Sequence, residues 1–295
     1  MNAMAVALTE RAVLKVAGPE RAAFLQGLIS NDTRKLAPER ALFAALLTPQ
    51  GKFLFDLFLA EAGETIWIDA EATRLADLKR RLTLYKLKAK VAIEPAPNWL
   101  AAAAFGPGAL TKLGLERPGQ AKPFADGIAY ADPRLAEAGA RLFLPAGPGL
   151  APLLEMGFAQ GGVADFRAHR YRLGLPEGSA DQALEKDVLL ELGYDELNGV
   201  DFDKGCYMGQ ELTARTKYRG LVKKRLVPVS LEGPQPAPGS PVTLAGEEAG
   251  ELRAIADGLG LALIRLEKLD SSMVFDCAGA KLAALRPVWH KNPTA

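Results

Sequence analysis

The pattern of apolar residues changes character near Gly220, and that change limits the fold more than any other feature of the chain. Beyond it, residues 226–231, 242–244, 251–255 and 259–266 read as short strands, with Gly/Pro-rich turns such as 232–241 between them. No helical stripe interrupts them, which predicts a small all-β domain or barrel over residues 221–295. Before Gly220 the periods mix. Residues 13–16 read as a strand, and Pro19 and Glu20 open a helix with Ala22, Ala23, Phe24 and Leu28 on one face. Asn31-Asp32-Thr33 ends that helix as a turn. The apolar runs 41–47 and 53–60 flank Thr48-Pro49-Gln50-Gly51-Lys52 and predict a hairpin. A strand over 65–69, a helix over 71–84 carrying Leu75, Leu78 and Leu82, and a strand over 91–94 follow. Residues 95–149, rich in Ala, Gly and Pro, show no decisive period. Residues 164–173 read as a helix stopped by Gly174, Pro176 and Gly178. Strands alternating with helices at this spacing predict an α+β plait over residues 1–220.

At 295 residues the chain can bury a large enough core to fold without disulfides or a structural metal. Its 2 Cys and 2 His cannot supply a four-ligand zinc site without carboxylates, nor four thiolates for an iron–sulfur cluster. No permanently bound metal is expected, and any chemistry must use few thiols, an external cofactor or carboxylates. His169 and His290 have no metal-ligand companions and read as structural. Residues 1–14 carry Glu10 and Arg11 and do not read as a signal peptide. The longest uncharged run, 95–111, is broken by Pro and Gly and does not read as a membrane span. These features predict a cytoplasmic protein with no membrane partner.

A net charge of +1 nominates no nucleic acid, membrane or acidic partner in bulk. Locally the charges separate. Residues 185–203 hold seven acids against Lys186, residues 204–225 hold seven bases against Glu211, and residues 78–90 hold six bases and no acid. Each block reads plainly as a solvated face, and more sharply as a basic rim around an anionic ligand.

Lys204-Gly205-Cys206-Tyr207-Met208-Gly209-Gln210-Glu211 is the most unusual short segment. Its glycines permit positive φ or close approach of a ligand. Gly209 can start a helix over 210–217, with Glu211 and Arg215 at i,i+4. A Cys just before a helix, with Lys204 beside it, would have its thiolate favoured. The plain alternative is a small buried Cys, but polar Gln210 and Glu211 and flexible glycines do not suit a core. Cys277 reads as an inert strand Cys.

This stretch resembles the signature of the YgfZ family, the folate-binding, iron–sulfur maturation branch of the glycine cleavage T-protein superfamily. It is similar in particular to the branch that includes the mitochondrial iron–sulfur assembly factor. Leu212-Thr213-Ala214-Arg215-Thr216 and Tyr194-Asp195-Glu196-Leu197-Asn198-Gly199-Val200 extend the likeness. So do Phe24-Leu25-Gln26-Gly27 with Asn31-Asp32, Leu47-Thr48-Pro49-Gln50-Gly51-Lys52, and Gly174-Leu175-Pro176-Glu177-Gly178. The resemblance implies two interleaved plait-like α+β domains and a C-terminal β-barrel around a central channel that takes tetrahydrofolate. It implies a role in making or repairing four-iron enzymes, including those that thiomethylate tRNA, with iron–sulfur client enzymes or cluster carriers as partners. Carried onto this chain, Cys206 is the essential thiol, with Lys204, Gln210 and Glu211 in the same loop. Cys206 is a candidate transient cluster ligand, completed by another subunit or carrier. Asn31, Asp32 and Gln50 would line the channel, Tyr85 and Trp99 are candidates to stack on the pterin, and the bases of 78–90 would face the glutamate tail.

The chain departs from true T-proteins where they carry Asp-Asp after the hairpin, since Phe55-Asp56 stands there. Arg172 stands at the acidic residue that reads the pterin, and Cys206 stands where T-proteins carry Asp. Asp56 is either a folate contact or an exposed strand residue. Aminomethyl transfer of the glycine-cleavage kind is therefore the alternative function, and tRNA binding through the basic blocks the third. The absence of an aromatic-rich RNA-recognition motif argues against direct nucleic-acid binding.

Overall fold

Two antiparallel-rich sheets organise the first of two structural units in a computed structural model that describes residues 2–290. Met1 and residues 291–295, included in the outer segments read from the sequence, lie outside the described residues. The first unit comprises Met1–Leu47, Leu54–Phe166 and Leu197–Met208, and the second comprises Thr48–Phe53, Arg167–Glu196 and Gly209–Ala295.

In the first unit a five-stranded sheet runs in the order Leu42–Leu47, Phe53–Ala62, Thr65–Glu71, Arg11–Ala17, Ala92–Pro95. The helix Leu75–Lys86 seats Leu78 and Leu82 in the same core as Leu14, Val16, Ile66 and Ile68. Its spacing matches the sequence reading, with a short 3₁₀ turn, Ala72–Arg74, ahead of it. The six-stranded sheet runs Ala159–Gln160, Met4–Ala7, Trp99–Phe105, Ala140–Pro145, Gly127–Ala131, Ala121–Phe124. It fills the stretch that sequence periodicity leaves open. Ala101 to Ala104 form a buried central strand, where small side chains replace the alternation that would have marked it.

A buried ion-pair ladder joins these sheets. The Arg11 guanidinium donates to both Asp56 carboxylate oxygens at 3.0 Å and to Asp69 at 2.5 Å. Asp69 accepts from Arg141 at 2.7 Å, and Arg141 continues to Asp132 at 3.1 Å, which Arg134 also grips at 2.8 Å. The Phe58 ring lies under three of these guanidiniums, with Arg141 at 3.5 Å from its centroid. Alternation along Phe53–Ala62 explains the arrangement: Phe55, Leu57 and Leu59 face the apolar core, while Asp56 and Phe58 face the ladder. Asp56 is thus neither an exposed strand residue nor free to meet a ligand. It is 1% exposed and committed to Arg11.

In the second unit six strands close into an antiparallel barrel in the order Lys224–Glu232, Leu259–Arg265, Glu247–Ala256, Pro241–Leu244, Val274–Cys277, Ala280–Ala284. The short helix Leu266–Leu269 is the exception to the all-strand expectation. Cys277 is buried in the barrel core beside Phe275 and Leu282, and burial raises its pKa. The Gly174–Gly178 stretch forms a knot around buried Asp181, which accepts from Arg170, Tyr171 and the Glu177 amide at 2.8 to 2.9 Å. The acidic and basic blocks are partly spent in pairs such as Asp187 with Arg253 and Asp195 with Arg225.

Candidate functional site

The segment that carries Cys206 is stitched onto the turn after the first helix by the side chains of that turn. The helix Arg21–Gln26 ends at Gly27, and the chain then presents Ser30, Asn31, Asp32 and Thr33 in succession, all buried. The Ser30 hydroxyl donates to the Gly199 carbonyl at 2.6 Å and accepts from the Ala45 amide at 2.8 Å. The Asn31 amide donates to the carbonyls of Phe43 and Asn198, both at 2.7 Å, while its oxygen accepts from the Asp32 amide. Asp32 caps the 3₁₀ turn Thr33–Lys35, and the Arg34 guanidinium holds its carboxyl far below the usual range. Short polar side chains in a row read as a turn in the sequence. Here they act as staples for a segment nearly 170 residues away in sequence.

Lys204 closes this interface. Its ammonium donates to the carbonyls of Gln26 at 2.8 Å, Ile29 at 2.6 Å and Asn31 at 2.7 Å, so each of its protons has an acceptor. Burial pulls its pKa down to about 8, opposed by the carboxylates of Asp32 and Asp201. The Tyr207 ring lies 4.9 Å from the ammonium, and the Met208 amide donates to the Gly27 carbonyl at 3.0 Å. Lys204 therefore anchors the segment, rather than standing as a free partner for the thiol.

Between these anchors only Gly205 and Cys206 face solvent. A Cβ on Gly205 would meet nothing within 4 Å, so the space over this residue, next in the chain to exposed Cys206, is open. Positive φ is required at Gly209 instead, where φ is 79° at the start of the helix Gln210–Tyr218. That helix belongs to the second unit, as does the hairpin turn 48–52. At Gly51, with φ of +82°, a Cβ would lie 2.6 Å from the Gly209 carbonyl oxygen and from Leu212 Cβ. The turn and the helix start are packed so closely that only glycine fits, which ties the Pro49–Lys52 motif to the Gly209–Glu211 motif. Glu211 is exposed and Gln210 half-buried. The expected i,i+4 pair between Glu211 and Arg215 does not form.

The residues expected to touch folate are distributed unevenly. Asn31 and Asp32 lie in the Lys204 interface and Asp56 in the ladder, with their polar atoms engaged. Gln50 and Arg172 are exposed in the second unit. Tyr85 stands at the exposed end of Leu75–Lys86, and the Trp99 ring packs tilted against Trp67, with centroids 4.2 Å apart. As a set they do not fit tetrahydrofolate, since three of the seven, Asn31, Asp32 and Asp56, have their polar atoms engaged within the protein. A neighbouring cavity was not legible in the sequence. It measures about 510 Å³, is walled by Asn31, Lys35, Arg40, Phe43, Asn198 and Phe202 among others, and has the 197–203 segment as one side. Lys35 pairs with Asp201 at 2.5 Å, whereas Arg40 has no ion-pair partner among the described residues. The Arg40 guanidinium offers one place for an anionic group, while Asp201 and Asp203 line the same space with carboxylates. Among the described residues, no group of three or more His, Cys, Asp or Glu side chains is placed to hold a metal ion. No helix among them is long and apolar enough to cross a membrane.

Comparison with known proteins gives this geometry a family. A model described as the CAF17 C-terminal β-barrel domain matches residues 223–292. The mitochondrial iron–sulfur cluster assembly factor IBA57 of Mus musculus is 35% identical over 302 residues, covering 95% of this chain and 83% of its own length. Its Homo sapiens counterpart is 36% identical over 308 residues, covering 96% and 84%. The crystal structure of glycine cleavage system aminomethyltransferase T from Bartonella henselae superposes with a TM-score of 0.77 at 16% identity, over 98% of this chain and 86% of that one. That likeness shows the fold: mixed α+β sheets with a closed C-terminal barrel. The mitochondrial names of the relatives overturn the cytoplasmic expectation. Scarce Cys does not separate the cytoplasm from the interior of the mitochondrion. The narrower of the resemblances holds, and the wider YgfZ one is carried no further. This chain belongs to the family of IBA57 iron–sulfur cluster assembly factors, built on the glycine-cleavage T-protein fold.

Proposed function

We propose that this protein serves in assembling or repairing iron–sulfur enzymes by lending Cys206 as one thiolate ligand to a cluster held jointly with a carrier or client. The observation that carries this reading is an exposed thiol on a two-residue span, fixed on both sides by Lys204 and by Tyr207 and Met208. Fixed backbone around an open thiol suits a ligand that must meet a group presented by another molecule. The cluster is cargo, and the remaining ligands come from the partner. Family membership supports the same role.

We further infer that tetrahydrofolate takes the cavity beside Asn31, where Arg40 would hold a carboxylate of its tail. Its clients would include the four-iron enzymes that thiomethylate tRNA, a reading that rests on the resemblance. Aminomethyl transfer gains nothing from Asp56, whose carboxylate is spent on Arg11. The test is complementation of cells lacking this protein by wild type, Cys206→Ala or Cys277→Ala, scoring a four-iron enzyme and thiomethylated tRNA. Wild type and Cys277→Ala should restore both, and Cys206→Ala neither. Full rescue by Cys206→Ala would sink the proposal.

A further inference from the structure

The end of the helix Leu75–Lys86 has an unusual surface. While Leu78 and Leu82 are in the core, Leu84 is 63% exposed, Tyr85 42% and Leu87 88%. Leu87 ends the helix with φ of 46° and ψ of −113°, a conformation that bulky side chains rarely adopt and that glycine would take without strain. A large apolar side chain is thus held in solvent at a backbone cost. The same stretch of chain carries six cations. Arg80 and Arg81 are spent on Asp77 at 2.5 and 2.9 Å, but Lys79, Lys86, Lys88 and Lys90 make no ion pair among the described residues.

We propose that this tip is a peripheral contact for an anionic bilayer surface. Three exposed apolar side chains at a helix end are too few to form a protein interface, which needs about 800 Å² on each side and anchors seated in pockets. A bilayer closes around an apolar tip of any outline, with lysine stems lying along the apolar layer and their ammonium groups among anionic headgroups. The expectation of no membrane partner rested on spanning segments and net charge, and neither describes a local contact of this kind.

The test is co-sedimentation of the full chain with vesicles of phosphatidylcholine alone, and of phosphatidylcholine with an equal part of phosphatidylglycerol. Binding should appear with the anionic vesicles and weaken as salt is raised. Lys86→Gln with Lys88→Gln should weaken it about 30-fold, and Leu87→Ser about tenfold. All three positions lie outside the core, so the urea midpoints of the variants should match wild type. The proposal is overturned by absence of binding to anionic vesicles at low salt, by equal binding to both vesicles, or by variants that bind as wild type does. Capture of a short RNA through Tyr85 without vesicle binding would assign the tip to nucleic acid and overturn it equally.

Discussion

Lys204 Nζ donates to the Ile29 carbonyl oxygen at 2.6 Å, and through this and two companion bonds the loop of Cys206 is held to the turn after the first helix. Replacing Lys204 by Met leaves three carbonyls without their donor, with an expected loss of about 3 kcal/mol or more. Lys204→Arg should not restore it, because a planar guanidinium cannot converge on three carbonyls as an ammonium does. Urea unfolding of the purified variants measures both. Wild-type stability in Lys204→Met would show that the clamp contributes little.

Cys206 is exposed and Cys277 is buried. A chromogenic disulfide reagent should titrate one thiol per native chain rapidly and a second only after denaturation. Cys206→Ala should abolish the rapid phase, and Cys277→Ala should leave it intact. Two rapid thiols in the native protein would contradict the burial of Cys277.

Asp69 bridges Arg11 and Arg141 and so links the two sheets of the first unit. Asp69→Ala leaves two buried guanidiniums without their shared anion, and the expected loss is about 3–5 kcal/mol. Joint replacement of Asp69, Arg11 and Arg141 by apolar residues of similar volume should cost less than the single change. Equal losses would show that packing, not charge, sets the cost.

His290 accepts from Arg225 Nε at 3.1 Å, and its pKa is lowered to about 4 by burial first, then by Arg225 and Arg286. The folded state holds the imidazole neutral, whereas the unfolded chain takes up a proton below about 6.5. Between about 6.5 and 4 the unfolded chain therefore binds more protons, and this contribution to stability is lost as the pH falls. Thermal midpoints across that window should fall less steeply in His290→Gln than in wild type. Parallel slopes would place the titration elsewhere.

Much of this was legible because it follows local rules. The barrel announces itself by alternating short strands and turn residues, and the helix Leu75–Lys86 by its Leu spacing. Cys206 stood out by its company of glycines and polar residues. The six-stranded sheet did not announce itself, since a run of Ala favours helix by propensity and shows no alternation. Asp56 was misread because the sequence gives its charge but not its partner, Arg11, 45 positions earlier. Lys204 was placed beside the thiol by proximity in sequence, yet its ammonium points at carbonyls 173 to 178 positions away. The cavity beside Asn31 assembles Lys35, Arg40, Asn198 and Phe202 from separate segments, so no local motif marks it.

The most direct test of the central claim is visible absorption of a cluster reconstituted anaerobically on this protein together with an iron–sulfur carrier. Thiolate-to-iron charge-transfer bands should appear with wild type and Cys277→Ser in a stable complex with the carrier. Cys206→Ser should yield no such complex and only the spectrum of the carrier by itself. A cluster-bound complex formed equally well by Cys206→Ser would contradict the assignment of Cys206 as the shared ligand.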